Sequence, residues 1–213
     1  MVKKMITLLL TAALLLTAFA GCTASEQSTA ETAQTTDTEV QTEQSEPEET
    51  PQEEQADSES IFASLALKDL EGNEVDATLF EGHKLTMLNI WATFCGPCLN
   101  EMPELGELAA EYAKDSSGVQ IVGLVTDVVD QDIQPVDSQI EAAKQIVEET
   151  GASYTHLVPD EEMYAFLVEN VIGVPTTYFI DEQGNFVGDP IIGANDKAAW
   201  QSEIASRLEM MEN

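Results

Sequence analysis

Basic residues are scarce in this chain of 213 residues. Lysine and arginine together number 8, whereas aspartate and glutamate number 40, and the formal net charge at pH 7 is −32. Nucleic-acid phosphates are bound mainly by lysine and arginine, so this composition argues against a nucleic-acid partner. The same excess of carboxylates disfavours an acidic substrate and favours basic partners.

Cysteine and histidine are also rare, with 3 and 2 copies, and this limits metal chemistry. A zinc site needs about four ligands, most often Cys or His. Cys95 and Cys98 could supply two of them, but Cys22, His83 and His156 stand singly in the sequence. We therefore expect no metal and no bound cofactor. The two neighbouring cysteines are then expected to form either a structural disulfide or a redox-active one.

Cys95 and Cys98 stand between a predicted strand and a predicted helix. The apolar run at 85–91 is typical of a buried strand, and residues 99–112 show helical spacing. Cys95 then begins a helix, where free N–H groups favour a thiolate and lower its pKa below the free value of about 8.5. This predicts Cys95 as the nucleophile and Cys98 as the resolving cysteine. A structural disulfide is the weaker alternative, because so short a loop removes little chain entropy.

The N-terminus has the pattern of a bacterial export signal. Lys3 and Lys4 precede an apolar run that ends in Phe19-Ala20-Gly21-Cys22 and resembles a lipobox. About 16 apolar residues is short for a bilayer span of about 20. We expect a lipoprotein signal peptide over 1–21 and lipid on Cys22, which anchors the protein outside the cytoplasmic membrane. An uncleaved anchor, or an ordinary signal with an incidental cysteine, is the alternative.

Residues 22–60 consist mainly of Thr, Glu, Gln and Ser and contain no Lys or Arg. Such a composition buries too little apolar surface to fold. We predict a disordered acidic tether here, followed by one folded domain over 61–213.

The remaining sequence alternates predicted strands and helices. Strands are predicted at 64–70, 74–76, 85–91, 119–125, 156–158 and 174–181. Helices are predicted at 99–112, 139–149, 161–170 and 196–211, with a single helical turn at 78–82. Ser138, Asp160 and either Asn195 or Asp196 are the predicted N-caps. Phe186 is predicted to open a strand that pairs with 174–181.

Two motifs in this layout resemble the thioredoxin superfamily, and specifically the membrane-anchored TlpA/ResA-like thiol-disulfide oxidoreductases. They are Trp91-Ala92-Thr93-Phe94-Cys95-Gly96-Pro97-Cys98 and Gly173-Val174-Pro175-Thr176, and Pro103 matches the family's kink in the active-site helix. The resemblance covers about residues 61–210. It implies an α/β thioredoxin-like fold, with a central mixed sheet flanked by helices, an N-terminal β-hairpin and a mid-domain insertion.

The resemblance also implies a substrate-binding surface beside the disulfide. The Val174–Pro175 bond is expected to be cis, and the Val174 backbone to bind an extended client peptide as one more strand. Trp91, Phe94 and the Gly96-Pro97 pair are expected to line the same surface. An ordinary proline before a strand, and aromatic residues that only pack in the core, are the alternatives.

The proton acceptor for Cys98 is sought among the acidic residues near the predicted strand ends. The thioredoxin family has a buried Asp six residues before the first cysteine, but Asn89 stands there, and an amide cannot take the proton. Asp127, at the end of the next predicted strand, is the candidate acceptor, with Asp130 behind it. Solvated loop acids are the alternative for both.

The Gly96-Pro97 pair is that of thioredoxin, whose potential is about −270 mV, against about −120 mV for the oxidant DsbA. We therefore expect a reductase of exported disulfide-bearing proteins, such as apocytochrome c or methionine sulfoxide reductase. A membrane thiol carrier of the CcdA/DsbD type is the implied electron donor. A disulfide-forming oxidase or isomerase, and a non-catalytic peptide-binding module, are the alternatives. Peroxidase activity is not expected, because the Thr-x-x-Cys pattern of peroxiredoxins is absent.

Overall fold

The computed structural model describes residues 60–212. The predicted signal peptide, the predicted lipid site Cys22 and the tether up to residue 59 lie outside the described residues. The strands are β1 Ala66–Asp69, β2 Glu74–Asp76, β3 Leu85–Trp91, β4 Val119–Val125, β5 His156–Val158, β6 Thr176–Asp181 and β7 Ile191–Ile192. The helices are α1 Gly96–Tyr112, α2 Asp137–Thr150, α3 Glu161–Asn170 and α4 Lys197–Met211, with a 3-10 turn at Ala77–Phe80. Within this part of the chain, no helix has the length and apolar character needed to cross a membrane.

The seven strands form one mixed sheet in the order β2-β1-β5-β4-β3-β6-β7. Strands β3, β4 and β5 are parallel, whereas β6 runs antiparallel to β3. The ends of β3, β4 and β5 therefore meet the start of β6 at one edge, which we call the C-terminal edge. The loops at 92–95, 126–136, 159–160 and 171–175 all lie there. This architecture confirms the predicted thioredoxin-like α/β class, including the β1–β2 hairpin.

Strand β3 is the centre of the core, because all seven of its residues are buried. Leu88 and Ile90 face a core that includes α3 and the segment before β1. Met87 and Trp91 belong to the cores on the side of α1, α2 and α4. Burial on both faces explains the continuous apolar run of this strand, since a strand exposed on one face would alternate.

Two helix caps match the sequence prediction. Asp160 Oδ1 accepts a hydrogen bond from Met163 N at 2.8 Å, and Asp196 Oδ1 accepts one from Ala199 N at 2.8 Å. These bonds satisfy free N–H groups in the first turns of α3 and α4.

Other boundaries differ from the prediction. The proposed Ser138 cap is wrong: the N-cap of α2 is Val136, two residues earlier, and its carbonyl oxygen accepts from Gln139 N and Ile140 N. Phe186 opens no regular strand, because it forms only an isolated bridge with Ile180 before Gly188 turns the chain in a left-handed conformation. The strand paired with β6 is therefore β7, further along the chain.

Candidate active site

The two cysteines of the Cys-x-x-Cys motif are joined by a disulfide at the C-terminal edge. Cys95 is the N-cap of α1, and its Sγ accepts a hydrogen bond from Cys98 N at 3.2 Å. Pro97 fits the first turn of this helix because the N–H that proline lacks has no partner there in any helix. Cys95 retains 5% exposure and Cys98 has none, so an incoming sulfur can reach only Cys95 from solvent.

A cis peptide bond joins Val174 to Pro175, as the family resemblance implies. Val174 O lies 3.5 Å from Cys95 Sγ, so this loop packs directly against the disulfide. Among residues 60–212, the Val174 N–H donates to no acceptor. Pro175 O, in contrast, accepts from Gly193 N at 2.8 Å, which ties the loop to the residue after β7. The loop is thus held in place through Pro175, while the Val174 N–H has no partner among the described residues.

The residues expected to line the substrate surface divide into two groups. Phe94, Gly96 and Pro97 are exposed beside the disulfide, and Phe94 has 77% of its surface accessible. Trp91 is fully buried, so the structure places it beneath the surface and out of reach of a client. Its aromatic ring therefore supports the motif from below.

Trp91 is held there by a buried histidine. The Trp91 Nε1–H donates to His156 Nδ1 at 3.1 Å, and the His156 Nε2–H donates to Ala152 O at 2.8 Å. Burial lowers the pKa of His156 to about 4, so the ring is neutral near pH 7. Gly123 makes room for it, since a Cβ at that position would lie 2.1 Å from His156 Nδ1. A glycine inside an apolar strand indicates such a close approach.

Asp127, the predicted proton acceptor, lies at the end of β4 and clamps the active-site loop. Its carboxylate accepts from Thr93 N at 3.0 and 3.1 Å and from the Thr93 hydroxyl. It thereby fixes the backbone two residues before Cys95. Among the described residues Asp127 forms no hydrogen bond with Cys98, and its role as acceptor stays a prediction.

Sequence reasoning missed a buried acid on α1. Glu101 is only 3% exposed and lies three residues after Cys98, where side chains of a helix are neighbours about 5–6 Å apart. Burial raises the pKa of Glu101, and hydrogen bonds from Asn195 N, Asn89 and Trp200 act in the opposite direction. An acid three residues after the second cysteine, on the apolar face of a predicted helix, was the available signal.

Asn89 connects this acid to the sheet. Its Nδ2 donates to Glu101 Oε1 at 2.9 Å and to Thr177 Oγ1 at 3.2 Å. Its Oδ1 is buried without a hydrogen-bond partner among the described residues. The position that carries an Asp in thioredoxin thus holds an amide that orients a carboxylate supplied by α1. In the same part of the chain, no group of three or more His, Cys, Asp or Glu side chains is arranged to hold a metal ion.

Comparison with known proteins places this site in a family. Residues 60–187, more than half of the chain, match the AhpC/TSA family. The thiol-disulfide oxidoreductase ResA of Halalkalibacterium halodurans is 30% identical over 124 residues, which cover 58% of this chain and 62% of that protein. The thiol:disulfide interchange protein DsbE of Pseudomonas fluorescens biotype C is 30% identical over 128 residues, covering 60% of this chain and 62% of that protein.

The matched region thus spans less than two thirds of the length of both relatives. A crystal structure of a putative thiol:disulfide interchange protein DsbE from Chlorobium tepidum superposes with a TM-score of 0.53 at 25% identity, covering 68% of this chain and 92% of that one. The fold, the Cys-x-x-Cys site and these likenesses agree. The chain belongs to the AhpC/TSA family and, within the thioredoxin superfamily, to the ResA/TlpA-like thiol-disulfide oxidoreductases.

Proposed function

We propose that the protein reduces disulfides of exported proteins through a Cys95–Cys98 dithiol. The observation that carries this proposal is the position of Cys95 Sγ, at the first turn of α1 and 3.5 Å from Val174 O. Helix N–H groups there stabilise a thiolate. The open Val174 N–H beside it can bind the backbone of an extended client.

The reaction is two successive thiol–disulfide exchanges. The Cys95 thiolate attacks one sulfur of the client disulfide, a mixed disulfide forms, and the other client sulfur leaves as a thiolate that takes a proton from solvent. Cys98 then loses its proton and attacks Cys95 Sγ, which releases the second client thiol and closes the Cys95–Cys98 bridge. Two electrons pass to the client, and the enzyme becomes oxidised.

We propose that Glu101 accepts the proton that Cys98 loses. Cys98 is buried, so a solvated base cannot reach it, whereas Glu101 lies on the same face of the same helix. A carboxylate whose pKa is raised by burial is a better proton acceptor near neutral pH than an ordinary one. Asp127 remains the competing candidate, because it also lies at the C-terminal edge.

The reducing direction is supported by the Gly96-Pro97 pair and by the lack of a histidine between the cysteines. In this proposal a membrane thiol carrier of the CcdA/DsbD type supplies the electrons, and apocytochrome c or an exported methionine sulfoxide reductase is the client. A disulfide-forming oxidase or isomerase is the alternative. A measured potential above about −180 mV would favour it over a reductase.

We further propose that the protein acts outside the cytoplasmic membrane, anchored by lipid on Cys22. The signal-like stretch at 1–21 supports this location. Labelling of cells with a palmitate analogue should mark the wild-type protein and leave Cys22→Ser unmarked. Labelling of both proteins, or of neither, would argue against lipid at this position.

Trapping of the mixed disulfide tests the redox proposal. In intact cells, Cys98→Ser should accumulate a covalent complex at Cys95 that mass spectrometry identifies. The double variant Cys95→Ser, Cys98→Ser is the matched control and should capture nothing. An abundant, reduced Cys98→Ser protein that captures no client would contradict the proposed activity.

A further inference from the structure

Three exposed apolar side chains lie on segments next to the disulfide or to the cis-proline loop. Phe94 directly precedes Cys95 and is 77% exposed, and Ile172, two residues before Val174, is 85% exposed. Ile192, which pairs with Thr176 directly after the cis proline, is 59% exposed. Cys95 and Val174 are in contact, so the segments that carry these side chains meet at the disulfide, and we call this surface the redox face.

The loops of the C-terminal edge, where the redox face lies, carry negative charge only. The segments at 92–95, 126–136, 159–160 and 171–175 leave the C-terminal edge, and they contain no lysine or arginine. Asp127, Asp130, Asp132 and Asp160 lie in these loops. Asp127 and Asp130 accept backbone N–H groups of the loops themselves.

The cations of the described residues are paired with carboxylates or lie at the far end of the domain. Lys68, which lines a pocket with Ile133, Pro135 and Asp160, is paired with Glu74 at 3.6 Å. Four of the cations contact carboxylates at 4.0 Å or less: Lys68, Lys144, Lys197 and Arg207. The other two, Lys84 and Lys114, form no ion pair within residues 60–212. Lys84 precedes β3 and Lys114 follows α1, whereas the disulfide lies where β3 ends and α1 begins. Both unpaired lysines are therefore at the far end of the domain from the redox face.

We infer that the redox face binds an extended, cationic client segment, with an apolar residue beside the reactive cysteine and lysine or arginine within a few positions of it. The inference rests on the proposed function and names its substrate class. Apolar residues of the client cover Phe94 and Ile172, its backbone accepts from the Val174 N–H, and its cations meet the loop carboxylates. An acidic segment would find no unpaired cation there.

Three matched peptides test this inference with the full-length, reduced protein. Each has the same sequence and one disulfide, and only the two residues that flank the reactive cysteine change, to Lys, Ser or Glu. Division of each rate constant by that for dithiothreitol removes the intrinsic reactivity of the disulfide. At about 20 mM NaCl we expect the Lys peptide to react at least about tenfold faster than the Glu peptide, and at about 0.5 M less than about threefold faster.

A pair of double variants locates the effect. Asp130→Asn with Asp132→Asn removes two charges at the C-terminal edge, and the asparagine at 130 can still accept the loop N–H groups. Glu81→Gln with Asp115→Asn removes two exposed charges at the opposite end. We expect the first pair to lower the preference for Lys over Glu at least about threefold and the second to leave it within about 1.5-fold.

Equal normalised rates for the three peptides would overturn the inference and leave the proposed function intact. A preference lowered equally by both double variants would also overturn it, because the effect would then come from the overall charge. Failure to reduce any of the three peptides would instead count against the proposed function itself.

Discussion

At the scale of single residues, two opposing effects determine the pKa of Glu101. Removal from water favours its neutral form, whereas N–H donors from Asn89, Asn195 and Trp200 favour the carboxylate. The balance leaves its pKa above the ordinary range. The acid can therefore hold a proton from Cys98 and later release it.

Replacement of Glu101 by Gln should slow the second exchange and spare the first. Glutamine can keep an acceptor oxygen toward Asn89 but cannot take a proton, and loss of a general base typically costs about 10²-fold or more. Rapid-quench experiments should show normal formation of the mixed disulfide and its slow resolution. In the wild type the resolution rate should rise as pH rises through the pKa of Glu101, and in Glu101→Gln this rise should be absent.

Asp127→Asn separates the two candidate acceptors. Asparagine retains an oxygen for the Thr93 N–H, so the loop should stay in place. Because Asp127 does not take the proton in this proposal, we expect the mixed disulfide to resolve within about threefold of the wild-type rate, a change of less than about 1 kcal/mol in the barrier. A slow resolution in Asp127→Asn together with a normal one in Glu101→Gln would transfer the role to Asp127.

His156 should make the stability of the fold depend on pH. Its pKa in the folded protein is about 4, below the ordinary value of 6.5. The folded state therefore binds fewer protons than the unfolded state between these values. Neutral His156 therefore contributes fully to stability above pH 6.5. As pH falls from 6.5 toward 4, this contribution to the free energy of unfolding is lost, by up to about 3 kcal/mol.

Urea unfolding at pH 7.5 and 4.5 measures this loss against His156→Gln. The variant lacks the titrating group. Between pH 7.5 and 4.5 its free energy of unfolding should therefore decrease by about 2 kcal/mol less than that of the wild type. The many surface carboxylates titrate in both proteins and cancel in the comparison. Identical falls would mean that His156 is accessible to protons in the folded state.

At the scale of elements, one turn design occurs three times. Asp69, Asp130 and Asp181 each accept, through Oδ1, the N–H groups of the residues two and four positions later. The residue three positions later has positive φ in all three turns: Gly72 at 83°, Ile133 at 55° and Gly184 at 85°. Glycine adopts this conformation at no steric cost, whereas the β-branched Ile133 is strained.

Gly72→Ala tests the cost of this conformation alone. No atom lies within 4 Å of a Cβ at position 72, so the loss of stability, about 1 kcal/mol, comes from the left-handed backbone. Gly173→Ala is the matched control, because its Cβ is equally free and its φ is ordinary. Thermal unfolding should place the control at or slightly above the wild type. An equal loss in both variants would point to a cause other than φ.

Sequence patterns predicted the elements that depend on local signals. The central strand, the Cys-x-x-Cys helix and the caps at Asp160 and Asp196 each have a periodic pattern or a capping residue. What was missed depends on contacts between distant segments. The start of α2 has no side-chain cap, and Glu101 acquires its environment from Asn195 and Trp200, more than 90 positions away.

At the scale of the whole molecule, the large excess of carboxylates opposes compaction. The ion pairs offset little of it, because their carboxylate partners are mostly exposed and an exposed pair contributes at most about 1 kcal/mol. With 40 acidic residues and 8 basic ones, the cations are too few to pair with most of the carboxylates. Repulsion among them acts over about 30 Å at 0.01 M salt and about 3 Å at 1 M.

Added salt should therefore stabilise the protein. Between about 10 mM and 0.5 M NaCl we expect the melting temperature to rise by roughly 3 to 8 °C, since 1 kcal/mol shifts Tm by about 2–4 °C in a domain of this size. Calorimetry in NaCl gives the measurement, and an equal osmolality of glycerol controls for solvent effects that do not screen charge. A melting temperature that falls with NaCl would mean that the ion pairs of Lys144, Lys197 and Arg207 contribute more than the repulsion that salt removes.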